Sequence, residues 1–121
     1  MAGPKKVVVF EDNPDIQLIL RVFLQKRGYD PVILPDGSEG LEMVRKHAPV
    51  LILMDIIMPG KDGFETCRDI RAGGITTPVI FLTTKAYADD KERALAVGGN
   101  AFLIKPFSTQ KLDAVLRLHL G

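Results

Sequence analysis

Five short apolar runs recur along the chain, and a stretch of helical periodicity follows each one. Lys6 to Phe10 is β-branched and aromatic, which predicts a strand buried on both faces. Asn13-Pro14 then supplies a helix start, with Asn as the cap and Pro at the first helical position. Ile16, Ile19, Leu20, Phe23 and Leu24 recur at helical spacing and predict one apolar face, and Gly28 ends that helix. Pro31 to Leu34 predicts a short second strand, and Pro35-Asp36-Gly37 a turn. From Ser38 a helix should carry Leu41 and Val44 inward and end near His47, before Pro49. Val50 to Met54 is the third predicted strand. Asp62 and Glu65 have the spacing of a capping box, so a helix should run from Gly63 to about Arg71 with Phe64, Cys67 and Ile70 inside. Pro78 to Leu82 predicts a fourth strand and Asp89 to Val97 a fourth helix. Ala101 to Ile104 predicts a fifth strand, and Thr109 to Leu120 a last helix with Leu112, Val115, Leu116 and Leu120 near one face.

Strand and helix thus alternate five times. That order implies an α/β fold with a parallel sheet, in which right-handed crossovers place helices on both faces. A length of 121 residues suits a single domain, and no linker or low-complexity tract divides it. Hydrophobic residues at 46% and charged residues at 26% argue for a soluble globular chain and against disorder. Lys plus Arg is 16 against 15 for Asp plus Glu, so there is no broad electrostatic footprint for nucleic acid or an anionic membrane. The lone Cys67 builds no disulfide framework and reads as a small apolar helix residue. His47 reads as a solvated residue favourable to a helix C-terminus rather than as a ligand or phosphodonor. No apolar run reaches the length of a signal-peptide core or a membrane span, so a cytoplasmic location is expected.

The chemistry gathers around Leu51 to Gly63, LILMDIIMPGKDG. Its buried run ends on one carboxylate, Asp55, and a charge there is costly without a partner or a role. Strand one ends in Glu11 and Asp12, strand four in Thr83 and strand five in Lys105. If all strands are parallel, one sheet edge holds three carboxylates, a hydroxyl and an ammonium, and that edge is where ligands collect in open α/β sheets. Crowded carboxylates resist ionising together unless a cation joins them. A hard divalent cation such as Mg²⁺ suits such oxygen donors, and no Cys/His cluster suggests zinc. The ammonium makes sense if a second anion arrives, and a phosphoryl group fits. Phosphoryl transfer needs positioning and charge stabilisation, and a carboxylate nucleophile gives an aspartyl phosphate.

These residues resemble those of a response-regulator receiver domain of two-component signalling. The carriers are Glu11-Asp12, Asp55 with Met58-Pro59-Gly60 and Asp62-Gly63, Thr83, and Lys105-Pro106-Phe107. Each alone is a weak signal; in order, each at a strand end, they are a strong one. The resemblance covers nearly all of residues 1–121 and implies a flavodoxin-like (βα)5 doubly wound sheet of order 2-1-3-4-5. It implies that Asp55 takes a phosphoryl group from a histidine kinase or a histidine phosphotransfer domain. Glu11 and Asp12 would hold Mg²⁺ (or Mn²⁺) with Asp55 and the backbone carbonyl of Ile57. Lys105 would pair with a phosphoryl oxygen, Thr83 would swing toward the phosphoryl group, and Phe102 would be the aromatic switch. The Lys105-Pro106 peptide is expected to be cis. A downstream output protein or domain would read the face built from the fourth helix, fifth strand and fifth helix. Direct binding to nucleic acid or membrane is not implied, nor is an enzyme that acts on anything beyond its own phosphorylation and dephosphorylation.

Three residues set this sequence apart. Thr84 stands where the family usually has a smaller residue. Ile57 and Lys85 flank the line of attack for hydrolytic water, and neither orients water as an acid or amide would, so slow dephosphorylation is expected. Three other readings compete. An aspartate-nucleophile phosphatase with Mg²⁺ usually carries a second acid where Ile57 stands. A mononucleotide-binding flavodoxin-like module would want a phosphate-cradling loop where Glu11-Asp12 stand. A receiver-like module that binds partners without phosphorylation would not need the complete set of acids, Thr and Lys.

Overall fold

The computed structural model describes residues 3–84 and 88–120. Strands β1 (Lys6–Phe10), β2 (Asp30–Leu34), β3 (Leu51–Asp55), β4 (Val79–Thr83) and β5 (Ala101–Ile104) alternate with five helices. These are α1 (Pro14–Lys26), α2 (Gly40–His47), α3 (Gly63–Ala72), α4 (Ala88–Ala96) and α5 (Thr109–Leu120). All strand pairs are parallel, and the sheet order is β2-β1-β3-β4-β5, the flavodoxin-like order.

Strand pleating sends alternate residues to opposite faces, and the core divides accordingly. Val8, Phe10, Ile52, Met54 and Phe81 pack under α2, α3 and α4, where Val44, Phe64, Cys67, Ile70, Ala94 and Val97 meet them. Val7, Val9, Leu53, Ile80, Leu82 and Leu103 pack under α1 and α5 against Leu20, Phe23, Leu24, Leu112 and Leu116. Cys67 is fully buried, as a small apolar helix residue would be.

Local signals act where the sequence places them. The Asn13 side chain accepts from the N–H groups of Asp15 and Ile16, and Asp62 accepts from that of Glu65. Three departures have physical causes. Helix α2 begins at Gly40 rather than Ser38, because the Ser38 N–H and hydroxyl both donate to the Asp36 carboxylate and hold a turn. β3 and β4 run on through Asp55 and Thr83, because Asp55 pairs with Leu82 and Thr83 with Ile104. Ile19 does not join the inner face of α1: it is 54% exposed, with Leu18 and Val22 beside it. Helix α1 therefore carries two apolar faces: Leu20, Phe23 and Leu24 are buried in the core with Ile16 packed against it, and Leu18, Ile19 and Val22 face out.

Arg71 ties the far end of the sheet together. Its guanidinium donates to the carbonyls of Ile75, Thr77 and Gly98 and to Asn100 Oδ1. Asn100 Oδ1 also accepts from the Val79 N–H. Gly98 sits at φ +95°, and a Cβ there would press on the Arg71 side chain. The C-terminal end of α4 is thus fixed to α3 and to the start of β4.

Candidate functional site

The parallel sheet brings the carboxyl ends of β1, β3, β4 and β5 to one edge, and the residues named from the sequence meet there. Asp55, the last residue of β3, is 7% exposed. Its strand leaves through Ile56, whose N–H continues the ladder to the Leu82 carbonyl and whose carbonyl accepts from the Gly63 N–H. A Cβ at Gly63 would collide with the Asp55 carbonyl oxygen, so only glycine lets the start of α3 close this tightly behind the site. Ile57 follows, with its side chain in solvent.

Glu11 is fully buried just beyond β1, and its neighbour Asp12 is exposed. Lys105 Nζ lies 2.5 Å from Glu11 Oε1 and 3.1 Å from Asp55 Oδ2, which joins the β1, β3 and β5 ends in one buried ion cluster. The other Glu11 oxygen accepts from the Asn13 N–H at 3.2 Å, and the Glu11 carbonyl accepts from Gln17 Nε2 at 2.6 Å. Thr83 is buried, and its carbonyl accepts from the Lys105 N–H at 2.6 Å, which fixes the β4 and β5 ends to each other. The Lys105-Pro106 peptide is cis. Phe102 on β5 is half-buried and packs against the core. It borders a 190 Å³ pocket with Lys91, Ala94, Leu95, Gly99 and Ala101. Thr84 is exposed, and Lys85 lies outside the described residues.

One carboxylate oxygen each from Glu11, Asp12 and Asp55 come within 4.8 Å of one another. Three hard oxygen donors at that spacing fit a small divalent cation. Among the described residues the ammonium that pairs with Glu11 and Asp55 is that of Lys105.

The family model for the response regulator receiver domain matches residues 7–117. The chain belongs to the response regulator receiver family. Solved structures agree over almost its whole length. The Vibrio cholerae chemotaxis protein CheY4 is 30% identical, with a TM-score of 0.90 over 97% of this chain and 99% of that one. The BeF3-activated N-terminal receiver domain of Klebsiella pneumoniae RstA is 34% identical, with a TM-score of 0.89 over 96% of this chain and 98% of that one. The receiver domain of a Pseudomonas aeruginosa sensor histidine kinase is 34% identical, with a TM-score of 0.88 over 99% of each chain, and holds a magnesium ion in its active-site cleft. This receiver's acidic cluster fits a phosphoacceptor site.

Other candidates fall away from this edge. His47 ends α2 at the opposite pole, with Nδ1 3.4 Å from Lys6 Nζ. Burial and the neighbouring Lys6 and Lys46 charges lower its pKa from the ordinary 6.5. The sequence reading missed the outward face of α1. Helical spacing groups Ile19 with the inner apolar face, and only the fold shows it beside Lys105, Pro106 and Phe107 in a 310 Å³ apolar pocket, with Leu18 and Val22 also exposed.

Proposed function

We propose that this receiver takes a phosphoryl group from a histidine kinase or histidine phosphotransfer domain onto Asp55 and switches the face built from α4, β5 and α5. The observation that carries this is the nearly buried Asp55 carboxylate, at the end of a central strand, with Lys105 Nζ 3.1 Å away. An Asp55 oxygen attacks the phosphorus, the P–N bond to the donor imidazole breaks, and its electron pair returns to the imidazole, which takes up a proton. Asp55 becomes an acyl phosphate. Glu11, Asp12 and Asp55, with the Ile57 carbonyl, would hold Mg²⁺ or Mn²⁺. Such an ion, when bound, offsets the repulsion between these carboxylates and the incoming phosphoryl oxygens. Lys105 moves its ammonium onto a phosphoryl oxygen, and Thr83 offers its hydroxyl to another. Phe102 then turns inward beside α4. The chemistry is confined to the chain's own phosphorylation and dephosphorylation.

The outward face of α1 supports a protein donor. Leu18, Ile19 and Val22 are exposed, and the pocket beside Ile19 reaches Lys105, so a helical donor lying there would bring its histidine to Asp55. Leu95, Ile104 and Leu118 are exposed on α4, β5 and α5, which suits a separate output partner on that face. Among the described residues no helix is long and apolar enough to cross a membrane.

Reductive trapping tests the assignment. The chain would be loaded with acetyl phosphate and Mg²⁺, treated with borohydride, digested and mapped by mass. The label should fall on the peptide holding Asp55; a label on Asp12 or Glu11 instead would overturn the assignment.

A further inference from the structure

We propose that His47 is a pH-sensitive catch on helix α2: as the neutral imidazole it accepts a hydrogen bond from Lys6 and pins the helix end to β1, and as the cation it is repelled and releases that end. The catch stands at the pole of the sheet away from Asp55 and does not depend on phosphoryl transfer. Its first support is the contact itself. Lys6 Nζ, at the start of β1, lies 3.4 Å from Nδ1 of His47, the last residue of α2. An ammonium can only donate, so Nδ1 carries no proton in this contact and the ring accepts. A proton on Nδ1 removes the acceptor and sets two cations face to face.

The second support is how little else holds α2. The helix has 8 residues, of which Gly40 and Val44 are buried, and its N-cap Glu39 supplies no side-chain hydrogen bond. So short a helix is marginal without tertiary support. At the other end Ala48 is held at φ 45°, in the left-handed region that a residue with a Cβ resists. Arg45 Nη2 adds a tie to the Gly73 carbonyl, at 3.4 Å and in solvent. Release of the His47 end therefore opens the last turn of α2 and loosens Val44 from the core cluster that it shares with Val8 and Phe10.

The charges around the ring set the direction. Lys6 reaches it from β1, Lys46 from α2 itself and Asp30 from the start of β2. Burial comes first, then the two ammoniums, and all three disfavour the imidazolium; Asp30 and the C-terminal helix dipole favour it. The balance leaves His47 below its ordinary 6.5. A released ring therefore takes up a proton more readily than a held one. The helix is fully held above pH 6.5, and the hold weakens as pH falls below that value.

Amide hydrogen exchange read by mass tests the catch, at about pH 7.5 and about pH 5, the range in which histidine changes charge. Rates are corrected for intrinsic exchange at each pH and compared between wild type, His47→Gln and Lys6→Met. Protection of the α2 peptide in wild type should fall about fivefold toward acid, the low end of coupling between linked events, while the α3 peptide keeps its protection. His47→Gln still offers Lys6 an acceptor but never ionises, so its α2 protection should not change with pH. Lys6→Met removes the repelling charge, so the fall should shrink. A wild type with no fall, a fall that persists undiminished in either variant, or α2 and α3 losing protection together would overturn the proposal.

Discussion

Ile57 sits two residues past Asp55, with 66% of its surface in solvent. It is a large apolar side chain beside a carboxylate that would carry an acyl phosphate. A water attacking that group needs a hydrogen-bonding partner to hold it, and a butyl-sized alkane offers none. Ile57→Asn should therefore quicken loss of the phosphoryl group, by about tenfold if one oriented water is gained, or ~1.4 kcal/mol of barrier. The decay of acetyl-phosphate-loaded protein after donor removal measures this, with Ile57→Asn, Lys85→Glu beside it. Equal or slower decay in the double variant would sink the account of a slow clock. Residue identity made this visible in advance, since Asp55, Thr83 and Lys105 each follow an apolar run and a parallel sheet must gather them. What Lys105 prefers among its acids was not visible. Glu11 and Asp55 are both acids at strand ends, and only the folded distances of 2.5 Å and 3.1 Å separate them.

At the scale of elements, α1 does two things at once. Its inner face closes the core through Leu20, Phe23 and Leu24, and its outer face offers Leu18, Ile19 and Val22. Ile19→Glu should leave loading by acetyl phosphate unchanged. Transfer from a phosphorylated histidine phosphotransfer domain that serves the wild type should fall at least about tenfold, the loss of ~1.4 kcal/mol of docking. Equal losses with both donors would place the defect at the site rather than in docking. Periodicity hid this, because an apolar residue at helical spacing looks the same on either flank of an amphipathic stripe.

Helix α1 is also tied to α5. Arg27 Nε donates to Asp113 at 2.9 Å, and its guanidinium stacks 3.6 Å over Phe23. That hydrogen bond, first among the causes, holds the Asp113 carboxyl below its ordinary 3.8. A carboxyl depressed in the folded state releases its proton more readily than in the unfolded chain. The pair's contribution is present above the unfolded value and is lost as pH falls through the lower folded one. Asp113→Asn should thus melt below wild type at neutral pH, and the gap should close as pH drops below about 4. A gap that widens with acid would contradict the pair. Arg71 acts on the other side of the sheet, where the sequence showed only a basic residue ending a helix. Its carbonyl partners lie 4 to 27 residues away, so no local pattern announces them. Arg71→Ala should lower stability by about 2–3 kcal/mol, because it leaves carbonyls without a charged donor. Denaturant unfolding reads this directly.

Taken whole, the molecule was largely legible as a chain of alternating strands and helices. Alternation and buried β-branched runs such as Val7 to Val9 dictate a parallel sheet, and parallel strands dictate a single functional edge. The places where boundaries moved, at Ser38 and at Asp55 and Thr83, are those where a side-chain turn or a neighbouring strand overrode the local pattern. Arg71 holds the C-terminal end of α4 at one pole, while Thr83 and Lys105 stand at the other, so a phosphoryl group on Asp55 would lie at the pole away from that clamp. The central claim is that Asp55 accepts that group. Intact mass after incubation with acetyl phosphate and Mg²⁺ tests it most directly, wild type beside Asp55→Asn. The account predicts that wild type gains the mass of one phosphoryl group and that Asp55→Asn gains none; equal gains, or no gain in either, would contradict it.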